Sequence, residues 1–177
     1  MSTQTERAVT TQVYRVYIKA TPQAVWDAIT KPEWTERYGY GSLAEYDLRP
    51  GGAYRAASSD AMKKRAAEMG FPIPDVMVEG EVIESDPPRR LVQTWHALWG
   101  EDVANEPPTR LTYDIAEDDG GVTRLTVTHE LEGAPIHAAQ IASLTDVRIL
   151  EGGGGWPMIL SGLKTVLETG QPMMAAP

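Results

Sequence analysis

With no cysteine the chain offers no thiol nucleophile, and the side chains whose type draws attention for acid–base work are three histidines, His96, His129 and His137, beside seven tyrosine phenols. Imidazole titrates near neutral pH, so a histidine facing an enclosed space suits a general base or a ligand hydrogen bond. His129 closes the run Thr123-Arg124-Leu125-Thr126-Val127-Thr128-His129, in which alternation puts Leu125, Val127 and His129 on one face. The same rule groups Leu111, Tyr113 and Ile115, and groups Leu91, Gln93, Trp95, Ala97 and Trp99. Gln93, Tyr113 and His129 are thus polar groups set in apolar rows. His96 points away from its row, and His137 lies in a segment without a clear period. A three-histidine metal site is not expected, and neither an H-x-x-x-H pattern nor a carboxylate facial motif occurs. No cofactor is implied.

Other motifs carry less. Gly152 to Gly155 precede a helical stretch, where backbone N–H groups can cradle phosphate. Yet no strand leads into them, the spacing is neither G-x-G-x-x-G nor a P-loop, and no Lys-Ser/Thr follows. A hinge or a close approach of backbones is the expected use. Glu79 and Glu81 alternate with Val78, Gly80 and Val82, which turns both carboxylates toward water. Ser42, Ser58, Ser59 and Ser85 lack the context of a nucleophile elbow.

The 177 residues hold 16 Lys and Arg against 25 Asp and Glu, a formal net charge of −9. An acidic chain offers no footprint for polyanions, and Lys63-Lys64-Arg65 is too short to form a groove, so no nucleic-acid partner is expected. No apolar run reaches the length of a membrane span, and Met1 to Gln12 lack the core of a signal peptide, so a cytoplasmic protein without membrane insertion is expected.

These side chains need a scaffold. Val13 to Lys19 (VYRVYIK) is rich in β-branched and aromatic residues and reads as a strand. Thr21 and Pro22 open a helix whose stripe is Ala24, Val25, Ala28 and Ile29, and Pro32 opens a second, short one with Trp34 and Tyr38 on one face. SLAEYDL and AYRAA flank the turn Arg49-Pro50-Gly51-Gly52, a hairpin. Ser58 to Asp75 is an excursion around the helix formers of Asp60 to Gly70. VMVEGEVIE, RLVQTWHALW, TRLTYDIAE and TRLTVTHELE then read as four strands. Ala134 to Leu150 is mixed with helical character. Trp156 to Thr169 is an amphipathic helix, with Trp156, Ile159, Leu160, Leu163, Val166 and Leu167 on one face and Lys164 and Glu168 opposite. A domain over residues 9–170, with loose tails at 1–8 and 171–177, follows.

The order of these pieces resembles a known family. Ala20-Thr21-Pro22 with Val25-Trp26, Arg49-Pro50-Gly51-Gly52, Gly80-Glu81-Val82 before Asp86-Pro87-Pro88-Arg89-Arg90-Leu91, Thr94-Trp95, the Thr123 to His129 strand, and Gly155-Trp156 with Leu160 and Leu163 are its matching points. Together they resemble the SRPBCC superfamily of START and birch-pollen-allergen-like proteins, and within it the branch related to the activator of heat-shock-protein-90 ATPase. The resemblance implies an α+β helix-grip fold: a curved antiparallel sheet wrapped around a long C-terminal helix, with two short helices after strand one.

It also implies an interior cavity for an apolar or amphiphilic molecule. On that reading the three apolar rows line the concave face, and Gln93, Trp95, Trp99, Tyr113, His129 and Trp156 form the wall, with Trp34 and Tyr38 at the rim and a mouth near Ser58 to Asp75. Three functions follow from the resemblance. The first is binding of a small apolar or aromatic molecule; the second is a polyketide-cyclase or aromatase activity in the same cavity, with His129 or Tyr113 as acid or base; the third is a chaperone-associated interaction module. No committed catalytic pair stands in the sequence, and a second copy of the chain is a further partner to test.

Overall fold

Thr21 starts the first helix: its side-chain oxygen accepts from the backbone N–H of Ala24 (3.2 Å), and Pro22 fills the first helical turn without wasting a donor. The computed structural model describes residues 10–141 and 155–174. Its elements are β1 (Thr11–Ile18), α1 (Pro22–Thr30), α2 (Pro32–Thr35), β2 (Leu43–Tyr46), β3 (Ala53–Ala57), α3 (Asp60–Glu68), β4 (Val76–Asp86) and β5 (Arg90–Ala97). After these come α4 (Glu101–Ala104), β6 (Thr109–Asp118), β7 (Val122–Glu130), α5 (Pro135–Ile141) and α6 (Gly155–Thr169).

The strands form one antiparallel sheet in the order β1-β7-β6-β5-β4-β3-β2, a meander closed by β1 pairing with the last strand. Register shifts at Ala56/Ala57 and Val82/Glu84 bend the sheet where β4 meets its neighbours. Gly80 permits the approach there, since a Cβ on it would lie 2.1 Å from the carbonyl oxygen of Thr94. The curved face closes on α1 and α6. Val25, Ala28 and Ile29 from α1 meet Leu91, Leu111, Ile115, Leu125 and Val127 from the sheet and Trp156, Leu160 and Leu163 from α6, all buried in one cluster. This is the α+β helix-grip architecture.

Alternation places polar residues on the opposite face. Arg90 pairs with Asp114, Arg110 with Glu130 and Arg124 with Asp118, cross-strand contacts that remain in water. At the edge, α6 does more than cover the core. Lys164 Nζ donates to the carbonyl of Tyr17 (2.7 Å), and Glu168 accepts from the backbone N–H of Lys19 (2.8 Å). The side of α6 opposite its apolar stripe is therefore what ties down the end of β1 and blunts an edge strand.

The boundaries differ in several places, and β2 and α2 are both shorter than the expected stretches 42–48 and 32–38. β1 begins at Thr11, two residues before the apolar run. The strand expected to continue through Trp99 stops at Ala97, because Gly100 turns the chain into α4, which polar, short Glu101–Ala104 did not announce by period. Of the mixed segment, Pro135–Ile141 is helical and Ala134 just before it is buried; residues 142–150, Gly152 to Gly154 and residues 1–8 lie outside the described residues.

Candidate functional site

The β2–β3 hairpin sets Tyr46 directly opposite Tyr54, and their rings stack at 4.5 Å. From Tyr54 the contacts continue to Trp95 of β5 (5.8 Å), from Trp95 to Trp156 of α6 (5.7 Å) and to His129 of β7 (5.9 Å). Tyr113 of β6 meets Trp156 edge-on at 6.1 Å. His129 then contacts His137 of α5 (5.1 Å), and His137 contacts Trp99 (5.4 Å). A chain of rings thus runs through the interior from the hairpin to α5. Most pairs are tilted or edge-to-face, the arrangement aromatic quadrupoles favour.

His129 is fully buried and uses both ring nitrogens. Thr109 Oγ1 donates its proton to the carbonyl of Trp95 (3.0 Å), so toward His129 Nε2 it accepts, at 2.8 Å. Nε2 therefore carries the proton, and Nδ1 accepts from the indole N–H of Trp156 (3.3 Å). Burial, with His137 adding to it, lowers the His129 pKa to about 3. The ring is neutral and without a free lone pair for a substrate proton. His137 is lowered to about 4, again mainly by burial, although Glu106 nearby opposes the shift. Glu106 also accepts from the backbone N–H groups of Ile136 and His137 (2.7 and 2.8 Å), anchoring the start of α5.

Three buried polar atoms along the ring chain have no hydrogen-bond partner: Gln93 Nε2, Trp95 Nε1 and His137 Nε2. Gln93 is fully buried and its Oε1 already accepts from the Tyr46 hydroxyl (2.8 Å). Tyr38, Tyr46, Tyr54 and Tyr113 all have raised pKa values, chiefly through burial, so each remains an un-ionised phenol. Their hydroxyls are near enough to influence one another.

Of the residues expected at the site, Gln93, Trp95, Tyr113, His129 and Trp156 converge between sheet and helix, and Tyr38 joins them with its hydroxyl donating to the carbonyl of Ala28 (2.8 Å). Trp99 stands at the far end, where its indole N–H donates to Gln140 (3.0 Å). Trp34 packs on the main core, with one face taken by the guanidinium of Arg37 at 5.0 Å. Sequence reading missed Tyr46, Tyr54 and His137. Extending the alternation rule to the hairpin would have put Ala44 with Tyr46 and Tyr54 with Ala56; nothing local could have paired His137 with His129. His96 is turned outward, as its position predicts, with its ring nitrogens near Glu79 (3.4 Å) and the carbonyl of Ala104 (3.0 Å).

Two concavities lie elsewhere. One, about 400 Å³, is on the outer sheet face, where Arg90 and Arg110 are neutralised by carboxylates; the other, about 270 Å³, lies between β1 and α6. Among the described residues no three His, Asp or Glu side chains gather to hold a metal, and no helix is long and apolar enough to cross a membrane.

A family model described as activator of Hsp90 ATPase homolog 1-like protein matches residues 19–168. The chain belongs to that family. No curated protein matches the sequence. Solved structures place this member of the Hsp90 ATPase activator homolog family among proteins of the same fold. CalU16 from Micromonospora echinospora is 19% identical, with a TM-score of 0.60 over 94% of this chain and 81% of that one. PFC0360w, an HSP90 activator from Plasmodium falciparum, is 18% identical, with a TM-score of 0.59 over 90% of this chain and 96% of that one. DynU16, from the dynemicin biosynthetic locus, is 20% identical, with a TM-score of 0.64; it covers 95% of this chain, which spans 51% of DynU16. At these identities the likeness concerns the fold.

Proposed function

We propose that this family member binds a small, mainly apolar molecule among the rings between the sheet and α6. The observation that carries the reading is the set of partnerless polar atoms on Gln93, Trp95 and His137 inside an aromatic interior. A buried polar atom left unsatisfied costs about 1–3 kcal/mol, and three along one chain of rings mark a place built to meet polar atoms from elsewhere. The surrounding rings supply rigid apolar area, and a few polar tips orient the guest, the usual make-up of a small-molecule site. Entry would part edge contacts between rings, each worth about 0.5–1.5 kcal/mol. A mouth beside α3 is consistent with this: α3 buries none of its residues, and Met62 lies beside the turn at Gly41.

The same geometry disfavours a cyclase using His129, since both of its nitrogens are engaged within the protein. An interaction module remains the reading suggested by the family description, and it makes no use of the buried polar atoms.

A panel of uncharged aromatic and aliphatic compounds tests the proposal by thermal unfolding and indole fluorescence. A binder at a hundredfold excess over Kd adds about 2.7 kcal/mol, a rise of roughly 5–10 °C for a chain of this size. Fluorescence should change with it, because Trp95 and Trp156 form the wall. A panel that moves neither quantity would remove the binding reading in favour of the interaction module.

A further inference from the structure

We infer that the molecule taken up carries an uncharged hydrogen-bond acceptor, a carbonyl-type oxygen, that meets the N–H groups of Trp95 and Gln93. This rests on the interior-binding reading and adds the chemical class of its ligand. The indole nitrogen of Trp95 is the deciding atom, because an indole N–H donates and has no acceptor capacity. Its missing partner is therefore an acceptor. The amide of Gln93, two positions along the same face of β5, points to the same class: its oxygen is used by Tyr46, and its NH₂ group is the part left over.

The acceptor must be neutral. Tyr46, Tyr54, His129 and Trp156 frame these two donors through the contacts described above, and none of them carries a positive charge at neutral pH. A carboxylate or phosphate would lose its hydration without gaining a counter-charge, at a cost far above that of a ketone, ester or amide. The burial that keeps four neighbouring phenols un-ionised acts equally on a guest anion. An unsubstituted hydrocarbon would leave both donors unmet.

Binding of 2-acetylnaphthalene, 2-ethylnaphthalene and 2-naphthoate, measured by calorimetry on the full chain, tests this. The first two are nearly equal in shape, and transfer from water alone favours the ethyl compound. We expect the ketone to bind about five-fold tighter than the hydrocarbon, the effect of one net hydrogen bond, and the carboxylate to bind weakest. Trp95→Phe and Gln93→Leu should each abolish the preference for the ketone while the hydrocarbon still binds. The ratio in the unmodified protein decides the matter even where a variant fails to fold. Equal binding of ketone and hydrocarbon, or tightest binding of the carboxylate, overturns the acceptor inference and leaves the interior-binding reading standing. If none of the three binds, both fall together.

Discussion

The indole N–H of Trp156 donates to Nδ1 of His129 across 3.3 Å, joining the first turn of α6 to the last residues of β7 inside the core. Because Thr109 holds the other nitrogen, His129 acts as a fixed link between helix and sheet. Removing either partner should therefore destabilise the fold, and the two losses should be coupled. Trp156→Phe and His129→Leu are each expected to cost about 1–3 kcal/mol in urea unfolding, with a coupling of about 0.5–3 kcal/mol in the double variant. Costs that simply add would show that the bond does not contribute.

The buried histidines make stability depend on pH in a stated direction. In the folded protein His129 and His137 have pKa values lowered to about 3 and 4, whereas unfolded imidazole titrates near its ordinary 6.5. Below pH ~6.5 the unfolded chain takes up protons that the folded one refuses, so the contribution is full above that pH and is lost as pH falls toward 3–4. Each histidine adds a slope of up to about 1.4 kcal/mol per pH unit in that window. Urea midpoints between pH 4.5 and 7 should fall steeply toward acid, and His137→Leu should remove about half of the slope.

Leu163 stands at the centre of the face that α6 presents to the sheet, 1% exposed. Leu163→Ala is expected to cost about 2–5 kcal/mol, from lost transfer energy and the cavity left behind. Leu167, half-buried one turn on, should cost less when truncated in the same way. Equal costs at the two positions in chemical denaturation would contradict the packing described for α6.

Strand alternation by itself determined much of this protein. Leu91, Gln93, Trp95 and Ala97 had to share one side of β5, and Leu125, Val127 and His129 one side of β7, because side chains on a strand alternate between its two faces. Thr21-Pro22 and the stripe from Trp156 to Leu167 likewise declared α1 and α6 through capping chemistry and helical period. What only the tertiary structure decided is which of these residues meet. Tyr46 and Gln93 are 47 positions apart, and Trp156 and His129 are 27 apart; both pairs form because the hairpin folds over β5 and α6 lies across β7. His137 sits in a short helix without a strong apolar period, and its burial against His129 follows from where Glu106 anchors α5. Local pattern reports which face of an element is apolar. The partner across that face, and hence whether a polar group there is satisfied or left waiting, depends on how distant elements pack, and no local period encodes it.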